Sequence, residues 1–426
     1  MLFQAATIVA AAGVVAASRC KPGTTSSSST IGWETVYTAT GTAAVAAAAA
    51  TARTSSPTSK VKGKVFDRYV SIWFENTDYA KAIADPNFSA FAKQGITLSN
   101  FHAVTHPSEP NYISVVGGDY FGMQNDDFNQ VNINVSTVFD LLDHKRISWG
   151  VYQEDMPYSG FEGQKYVNQK TGANDYVRKH NPAVIFDSVA HFEDRLSQIK
   201  NLSLIDVAKS QFHQDLKADK LPQWMFITPN MTSDAHDATI TYAGNWLNLF
   251  LTPLLKDKNF MQNTLVLITF DENSGYALKN KILSIALGDA VPQHLAGTTD
   301  DSFYNHYTEL STVEANWDLP TLGRWDVGAN VLQFVAQQTG DKVRKWDPSY
   351  NFEAKYFYNQ SYAGPFNTKG GLHEYPAPNL ELDHSASGRK ILDSIKKTWR
   401  GSKNPTYYRD AIEVNDGLNP PAGYAV

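Results

Sequence analysis

Four short polar clusters carry the residues that could do chemistry. Glu75-Asn76 follows the run VSIWF, and Thr105-His106-Pro107-Ser108-Glu109-Pro110-Asn111 follows SNFHAV. Pro229-Asn230-Met231-Thr232-Ser233-Asp234-Ala235-His236-Asp237 follows MFIT, and Asp271-Glu272-Asn273 follows VLITF. Carboxylates and imidazoles are ligands for hard and borderline divalent cations. Glu75, Asp234, His236, Asp237, Asp271, Glu272 and His306 therefore form a pool of candidate metal ligands. Their spacing matches no ligand motif such as HExxH, and singly each could be an ion pair or a helix cap. His306, in FYNHYTEL, could equally be a satisfied core or surface histidine. Ser108 stands just before Pro-Asn and the helix-like stretch YISVVGG. A serine there faces the positive end of a helix dipole, which lowers the cost of an alkoxide. An ordinary helix cap is the alternative. One acidic pair after a strand says little, but four such clusters favour a site with a nucleophile.

The segments that precede the clusters read as strands. Residues 65–74, 96–104, 148–153, 223–228, 263–270 and 281–287 are β-branched and aromatic runs. ISVVGG, VSTVFDLLDHK, NWLNLFLTPLLKD and GANVLQFVAQQTG read as the helices between them. Near-continuous apolar strands alternating with helices predict an α/β fold around a mostly parallel central sheet flanked by helices. Chemistry in such sheets collects beyond the carboxyl ends of the strands, where the four clusters fall. With no internal repeat and no second composition block, one large domain over 63–420 is expected.

Composition narrows the function. Apolar residues at 42% exclude whole-chain disorder, and a net charge of −6 argues against a nucleic-acid partner. The single cysteine, Cys20, excludes a disulfide framework and a thiolate metal cluster. Residues 1–18 have the short apolar core and Ala-Ala-Ser ending of a secretory signal peptide, although a short membrane anchor is the competing reading. Residues 19–62, rich in Ser, Thr and Ala, read as a disordered propeptide or tail. Asn-x-Ser/Thr sequons at Asn87, Asn134, Asn201, Asn230 and Asn359 fit a secreted glycoprotein. No amphipathic helix with a basic face suggests insertion into a membrane.

Taken in order, these pieces resemble the phosphoesterase family of acid phosphatases and phosphatidylcholine-type phospholipases C, which is similar to the alkaline phosphatase superfamily. The resemblance rests on Glu75-Asn76, His106 to Tyr112, Tyr152 to Pro157, Lys179-His180-Asn181-Pro182, the 229–237 loop, Asp271-Glu272-Asn273 and His306-Tyr307. It is strongest to the secreted fungal acid phosphatases. It implies an alkaline-phosphatase-like fold, with Ser108 as nucleophile and Asn111 holding a phosphoryl oxygen. Glu75 takes the place of the first-strand acid, with Asn76 beside it. Asp271-Glu272 replaces the superfamily's late Asp-His metal pair, and His306 its final histidine. The intermediate pair matches Asn230 and Asp234 loosely, with His236 and Asp237 as near alternatives.

Those departures exchange imidazoles for oxygens, which favours Mg²⁺, Mn²⁺ or Ca²⁺ over a tight two-zinc site. The expected chemistry is hydrolysis of small phosphate monoesters through a phosphoserine, with an acid optimum. Glu75, Asp271, Glu272, Asp234 and Asp237 would hold the metal. Asn76, Asn111 and His180 would contact the phosphoryl oxygens, and His236 or His306 would protonate the leaving oxygen. A phospholipase C-type diesterase and an inactive binding protein of the same fold are the rivals.

Overall fold

The computed structural model describes residues 42–277, 279–344, 361–382 and 388–409, all within one compact unit. The signal segment 1–18, Cys20, the rest of the tail to residue 41, and the Asn359 sequon lie outside the described residues. In chain order the strands are β1 (Arg68–Phe74), β2 (Ile96–His102), β3 (Trp149–Glu154), β4 (Lys165–Val167), β5 (Asn174–Val177) and β6 (Ile199–Leu202). They continue with β7 (Trp224–Thr228), β8 (Thr264–Phe270), β9 (Lys281–Leu287), β10 (Thr298–Asp300) and β11 (Tyr304–Asn305). Nine of them form one sheet in the order β10-β2-β9-β8-β1-β7-β3-β6, with β11 also on β2, while β4 and β5 form a separate hairpin. Every pairing in the large sheet is parallel except those of β9, which runs antiparallel to β2 and β8.

This is the expected mostly parallel α/β sheet, and all six strand runs read from the sequence are in it. β9 is the exception to parallel pairing. The shorter strands β6, β10 and β11 were not foreseen. β6 is an edge strand with the sequence IKNL, too polar and too brief to stand out as an apolar run.

Strand β1 shows how the sequence sets the sheet. Residues 69–74 are all buried, because neighbours cover both faces. Alternate side chains on one face, Tyr69, Ser71 and Trp73, all donate to the Glu309 carboxylate at 2.8, 2.5 and 2.9 Å. Glu309 sits on the helix Tyr307–Trp317 and is itself buried. Burial raises its pKa to about 7, against the pull of the three donors. The central strand is thereby fixed to that helix by polar contacts as well as by packing.

The structure corrects the reading of residues 42–62 as disordered tail. Residues Thr42–Ala49 form a helix, and those that follow lie along the domain as a strap. Ser55 N donates to Ser197 O at 2.9 Å, and Ser56 Oγ to Asp215 Oδ1 at 2.7 Å. The Gln223 amide grips Val61, accepting from its N at 2.8 Å and donating to its O at 2.7 Å. Small polar residues bury little apolar surface, so composition argued for disorder. They order here because they satisfy buried polar groups of the domain, including Lys200 and Asp215.

A chain beginning at Gly63 should therefore melt at least about 5 °C below one beginning at Thr42. That loss corresponds to roughly 4 kcal/mol at about 2.1 cal/mol/K per residue, from several orphaned hydrogen-bonding groups worth about 1 kcal/mol each. Equal melting temperatures in a thermal unfolding comparison would show that the strap adds nothing.

Candidate active site

The strand order brings the clusters together. β1 lies between β7 and β8, so the segments leaving all three are neighbours at one sheet edge. Backbone bonds join them: Glu75 N donates to Asp234 O at 2.9 Å, and Asp271 N to Phe74 O at 2.8 Å. The segment after β2 reaches the same place over the end of β9. Asn280 acts as the staple, its Nδ2 donating to Thr105 O at 2.8 Å while its Oδ1 accepts from Asn273 N at 2.9 Å.

Ser108 opens the helix Ser108–Gly117, which closes on the left-handed Gly118 at φ +71°. A Cβ at Gly118 would meet Asp326 Oδ1 at 3.2 Å, so the turn is both strained and tight for any other residue. The Ser108 side chain is buried, and its Oγ donates to Glu75 Oε2 at 3.1 Å. One turn along, Tyr112 OH donates to Glu75 Oε1 at 2.7 Å. His180 Nε2 reaches the same oxygen at 3.1 Å, and its Nδ1 lies 3.5 Å from Asp234 Oδ2. Burial alone would raise the Glu75 pKa, but His180 chiefly, with Lys179 and His236, brings it down to about 2. Burial likewise opposes the charge on His180, yet Glu75 and Asp234 hold its pKa above the ordinary value.

Asp271 and Glu272 complete the acidic group. Asp271 Oδ1 accepts the backbone N–H of Asn76 at 3.1 Å and of Glu272 at 2.6 Å. Burial first, then the Glu75 charge, pushes both the Asp271 and Glu272 carboxyls well up. Burial also raises Asp234, to about 6, despite the His180 hydrogen bond. Glu75, His180 and Asp234 present ligand atoms within 4.8 Å of one another, all buried, and could hold a metal ion. Asn76 Oδ1 and Asp271 Oδ2 add buried oxygens that have no hydrogen-bond partner. Oxygen donors left unpaired beside repelling carboxyls are a donor set that a cation would fit. Two residues here have unusual backbones, Asn76 at φ +25° and Ala235 at φ +86°. Such strain costs about 1–3 kcal/mol and tends to gather at functional sites.

Several residues stand elsewhere than the sequence suggested. Asn111 is tied mostly to the main chain, with one longer bond from Nδ2 to Glu272 Oε2 at 3.4 Å. Its Oδ1 accepts from Val104 N and Thr105 N at 3.0 and 3.1 Å, and its Nδ2 donates to Thr105 O and Pro107 O at 2.8 and 3.2 Å. It shapes the turn that presents Ser108 and reaches the acidic group only through Glu272. His180, also expected to face a phosphoryl oxygen, has both ring nitrogens turned to carboxylates. His306 lies in the core, 4.3 Å from the Trp73 ring, with Nε2 donating to the Asp271 carbonyl at 2.7 Å. Burial depresses its pKa to about 3, so it is a neutral support under Asp271 and not an available acid.

His236 stands at the rim, with 27% of its side chain exposed and its ring 5.9 Å from that of His180. Asp237 is outside the ligand group, its carboxylate held by Asn174 Nδ2 at 2.8 Å and His236 Nδ1 at 2.7 Å. The sequon residue Asn230 is buried, with Nδ2 on Asp155 Oδ2 at 2.7 Å, which leaves no room for a glycan, whereas Asn134 is exposed.

The sequence reading gave no role to His106, Tyr112, Lys179 or Tyr276. His106 Nδ1 lies 2.8 Å from Glu272 Oε2, and burial lowers its pKa to about 4. The Tyr276 ring, half exposed, covers it at 4.0 Å. The segments that hold His106, Tyr112 and Lys179 belong to the resemblance, which assigned no task to these three side chains.

The phosphoesterase family model matches residues 76–320. An acid phosphatase of Aspergillus fumigatus is 51% identical over 355 residues, 83% of this chain and 76% of that one. A phosphate-repressible acid phosphatase of Penicillium chrysogenum is 49% identical over 367 residues, 85% of each chain. Among solved structures, a protein in the alkaline phosphatase superfamily from Vibrio parahaemolyticus aligns with a TM-score of 0.39 and 12% identity, covering 63% of this chain and 72% of the other.

The geometry around Asn111 makes a prediction. Asn111→Ala orphans the Val104 and Thr105 amides and the Pro107 carbonyl in a buried turn, while Thr105 O keeps its bond from Asn280. It should cost about 2–4 kcal/mol in urea unfolding and lower kcat through a displaced Ser108. Unchanged stability would show that the side chain does not hold the turn.

Proposed function

Since the chain belongs to the phosphoesterase family and is a phosphomonoester hydrolase, we propose that it is a secreted acid phosphatase working through a phosphoseryl intermediate on Ser108. The observation that carries this reading is the Ser108 hydroxyl, buried at a helix start and hydrogen-bonded to Glu75. The helix N-terminus favours the developing negative charge there.

In the proposed reaction Ser108 Oγ, oriented by its hydrogen bond to Glu75 Oε2, attacks phosphorus and releases its proton to water. The bond to the ester oxygen breaks, and that oxygen takes a proton from His236 at the rim. Water then cleaves the phosphoseryl bond, giving a proton to His236 as it attacks, while the departing serine oxygen takes a proton from solvent, so that inorganic phosphate leaves and both groups are restored. His180 steadies Glu75 throughout, and Asn76 offers a contact to the phosphoryl group. A divalent ion held by Glu75, Asp271, Glu272 and Asp234 would neutralise charge on the phosphoryl oxygens, and this oxygen-rich set suits Mg²⁺, Mn²⁺ or Ca²⁺. Secretion is supported by the signal-like residues 1–18 and by sequons such as the exposed Asn134. No helix among the described residues is long and apolar enough to cross a membrane.

Ser108→Ala should lose at least about a hundredfold in kcat with the fold intact, since a covalent nucleophile has no substitute. Acid quenching with labelled substrate should leave phosphate on the peptide that carries Ser108. Near-normal turnover by the folded variant would sink the assignment. Faster turnover of a phosphodiester than of a monoester would favour the phospholipase C-type activity instead.

The pH dependence follows from charge. A phosphate monoester gains its second negative charge near pH 6, and the site is already crowded with carboxyls. Rising pH adds repulsion on the substrate side, so kcat/KM should be greatest below about pH 6.5. A maximum at or above pH 8 would reject the acid-phosphatase reading. Chelation should remove activity, and Mg²⁺, Mn²⁺ or Ca²⁺ should restore it. Full activity in metal-free protein, checked by elemental analysis, would rule out the metal.

A further inference from the structure

Lys179 is the strongly basic side chain at this site, and the mechanism above gives it no task. It immediately precedes His180 in the turn Arg178–His180, so its backbone is fixed by the histidine that bridges Glu75 and Asp234. Its ammonium lies 3.0 Å from Asp126 Oδ2, and the two side chains are only 15% and 26% exposed. The other oxygen, Asp126 Oδ1, accepts the Glu109 N–H at 2.9 Å, the amide next to Ser108. Asp126 therefore tethers the ammonium to the first turn of the Ser108 helix. The charges of Glu75 and Asp271 act on Lys179 as well, and Lys179 acts in turn on Glu272 and on the Tyr276 phenol at the rim. The neighbouring Arg178 points the other way, donating to the Glu162 and Val184 carbonyls.

A phosphoryl group entering beside Ser108 meets Glu75, Asp271 and Glu272, so it needs a counter-charge that those residues cannot supply. A lysine ammonium is a compact point charge on a flexible stem, able to exchange one anionic partner for another. Its one direct ion-pair contact is a carboxylate at the rim, which a doubly charged phosphoryl group can outbid.

Building on the phosphomonoesterase reading, we propose that Lys179 binds the substrate's phosphoryl oxygens, leaving Asp126 when the ester arrives, and that it thereby selects monoesters over diesters. A monoester presents three terminal phosphoryl oxygens at any pH and a diester two, and at pH 7 the monoester also carries a second charge. The cation therefore contributes more to the first.

The test uses the full chain with Lys179→Gln, Lys179→Arg and Asp126→Asn. The readouts are inhibition by inorganic phosphate, kcat/KM for an aryl phosphate monoester and its bis-aryl diester at pH 7, and thermal unfolding. Lys179→Gln should raise the phosphate Ki at least tenfold and cut the monoester-to-diester ratio at least tenfold. Lys179→Arg should stay within a few-fold of the parent. Asp126→Asn frees the ammonium and should lower the phosphate Ki at least twofold. An unchanged phosphate Ki in Lys179→Gln would overturn the proposal. So would an Asp126→Asn variant whose phosphate binding is unchanged or weaker, because the pair would then be a structural tie. If Lys179→Gln fails to fold, the Asp126→Asn arm decides by the same criterion. A parent protein that hydrolyses no monoester would sink the functional reading itself. Phosphate binding to parent and Lys179→Gln, measured by calorimetry, would still test the lysine.

Discussion

The site depends on one buried charge, the carboxylate of Glu75 at the end of the central strand. Removing an ion from water costs several kcal/mol unless it is paired and hydrogen-bonded. Glu75 meets that demand with Ser108 and Tyr112 from the helix after β2, and with His180 from the turn after β5. Ser108 and Tyr112 are four residues apart, so one helical face delivers both donors. That helix and the His180 turn lie far apart in sequence, and the need to solvate one carboxylate helps bring them together. The same contacts aim the serine hydroxyl. Stability and chemistry at this point share their atoms.

The supports beneath the site follow the same logic of satisfying buried polar groups. His306 holds the Asp271 carbonyl from below, Asn111 closes the Thr105–Pro107 turn, and Asn280 joins the segments after β2 and β8. At the far end of the Ser108 helix, Asp119 takes hydrogen bonds from Tyr407 and Tyr408 at 2.6 and 2.5 Å, so the C-terminal part of the described chain anchors that helix. The helix is thus held at both ends, which a short helix with a buried polar first turn requires.

This explains what could be read from the sequence and what could not. The long strands were legible because a strand covered on both faces is an almost unbroken apolar run, as in TLVLITF. The positions of Glu75, Ser108, Asp234 and Asp271 were legible because all four lie just beyond the carboxyl ends of such runs. Their partners were not. Whether Asn111 faces a ligand or its own backbone is decided by a turn that exists only in three dimensions, and the same holds for His306 under Asp271. The strap at 51–62 was hidden for a related reason. Its serines act through complementary groups such as Asp215 and Gln223, more than 150 residues away.

The balance of charge links the proposed acidic working range to the proposed cation. Glu75 stays ionised at the expense of Asp271 and Glu272, whose pKa values rise because they are buried beside it. Three carboxyls this close cannot all be charged without help, and there are two sources of help. A proton on Asp271 or Glu272 removes the repulsion at low pH, and a divalent cation removes it at any pH. Substrate binding faces the same choice, since a singly charged phosphoryl group is repelled less than a doubly charged one. An imidazole in place of Glu272 would lower the negative charge but would lose metal affinity on protonation below about pH 6.5. The carboxylate in that position suits a site that works in acid, where protons and a hard cation can share the task of neutralisation.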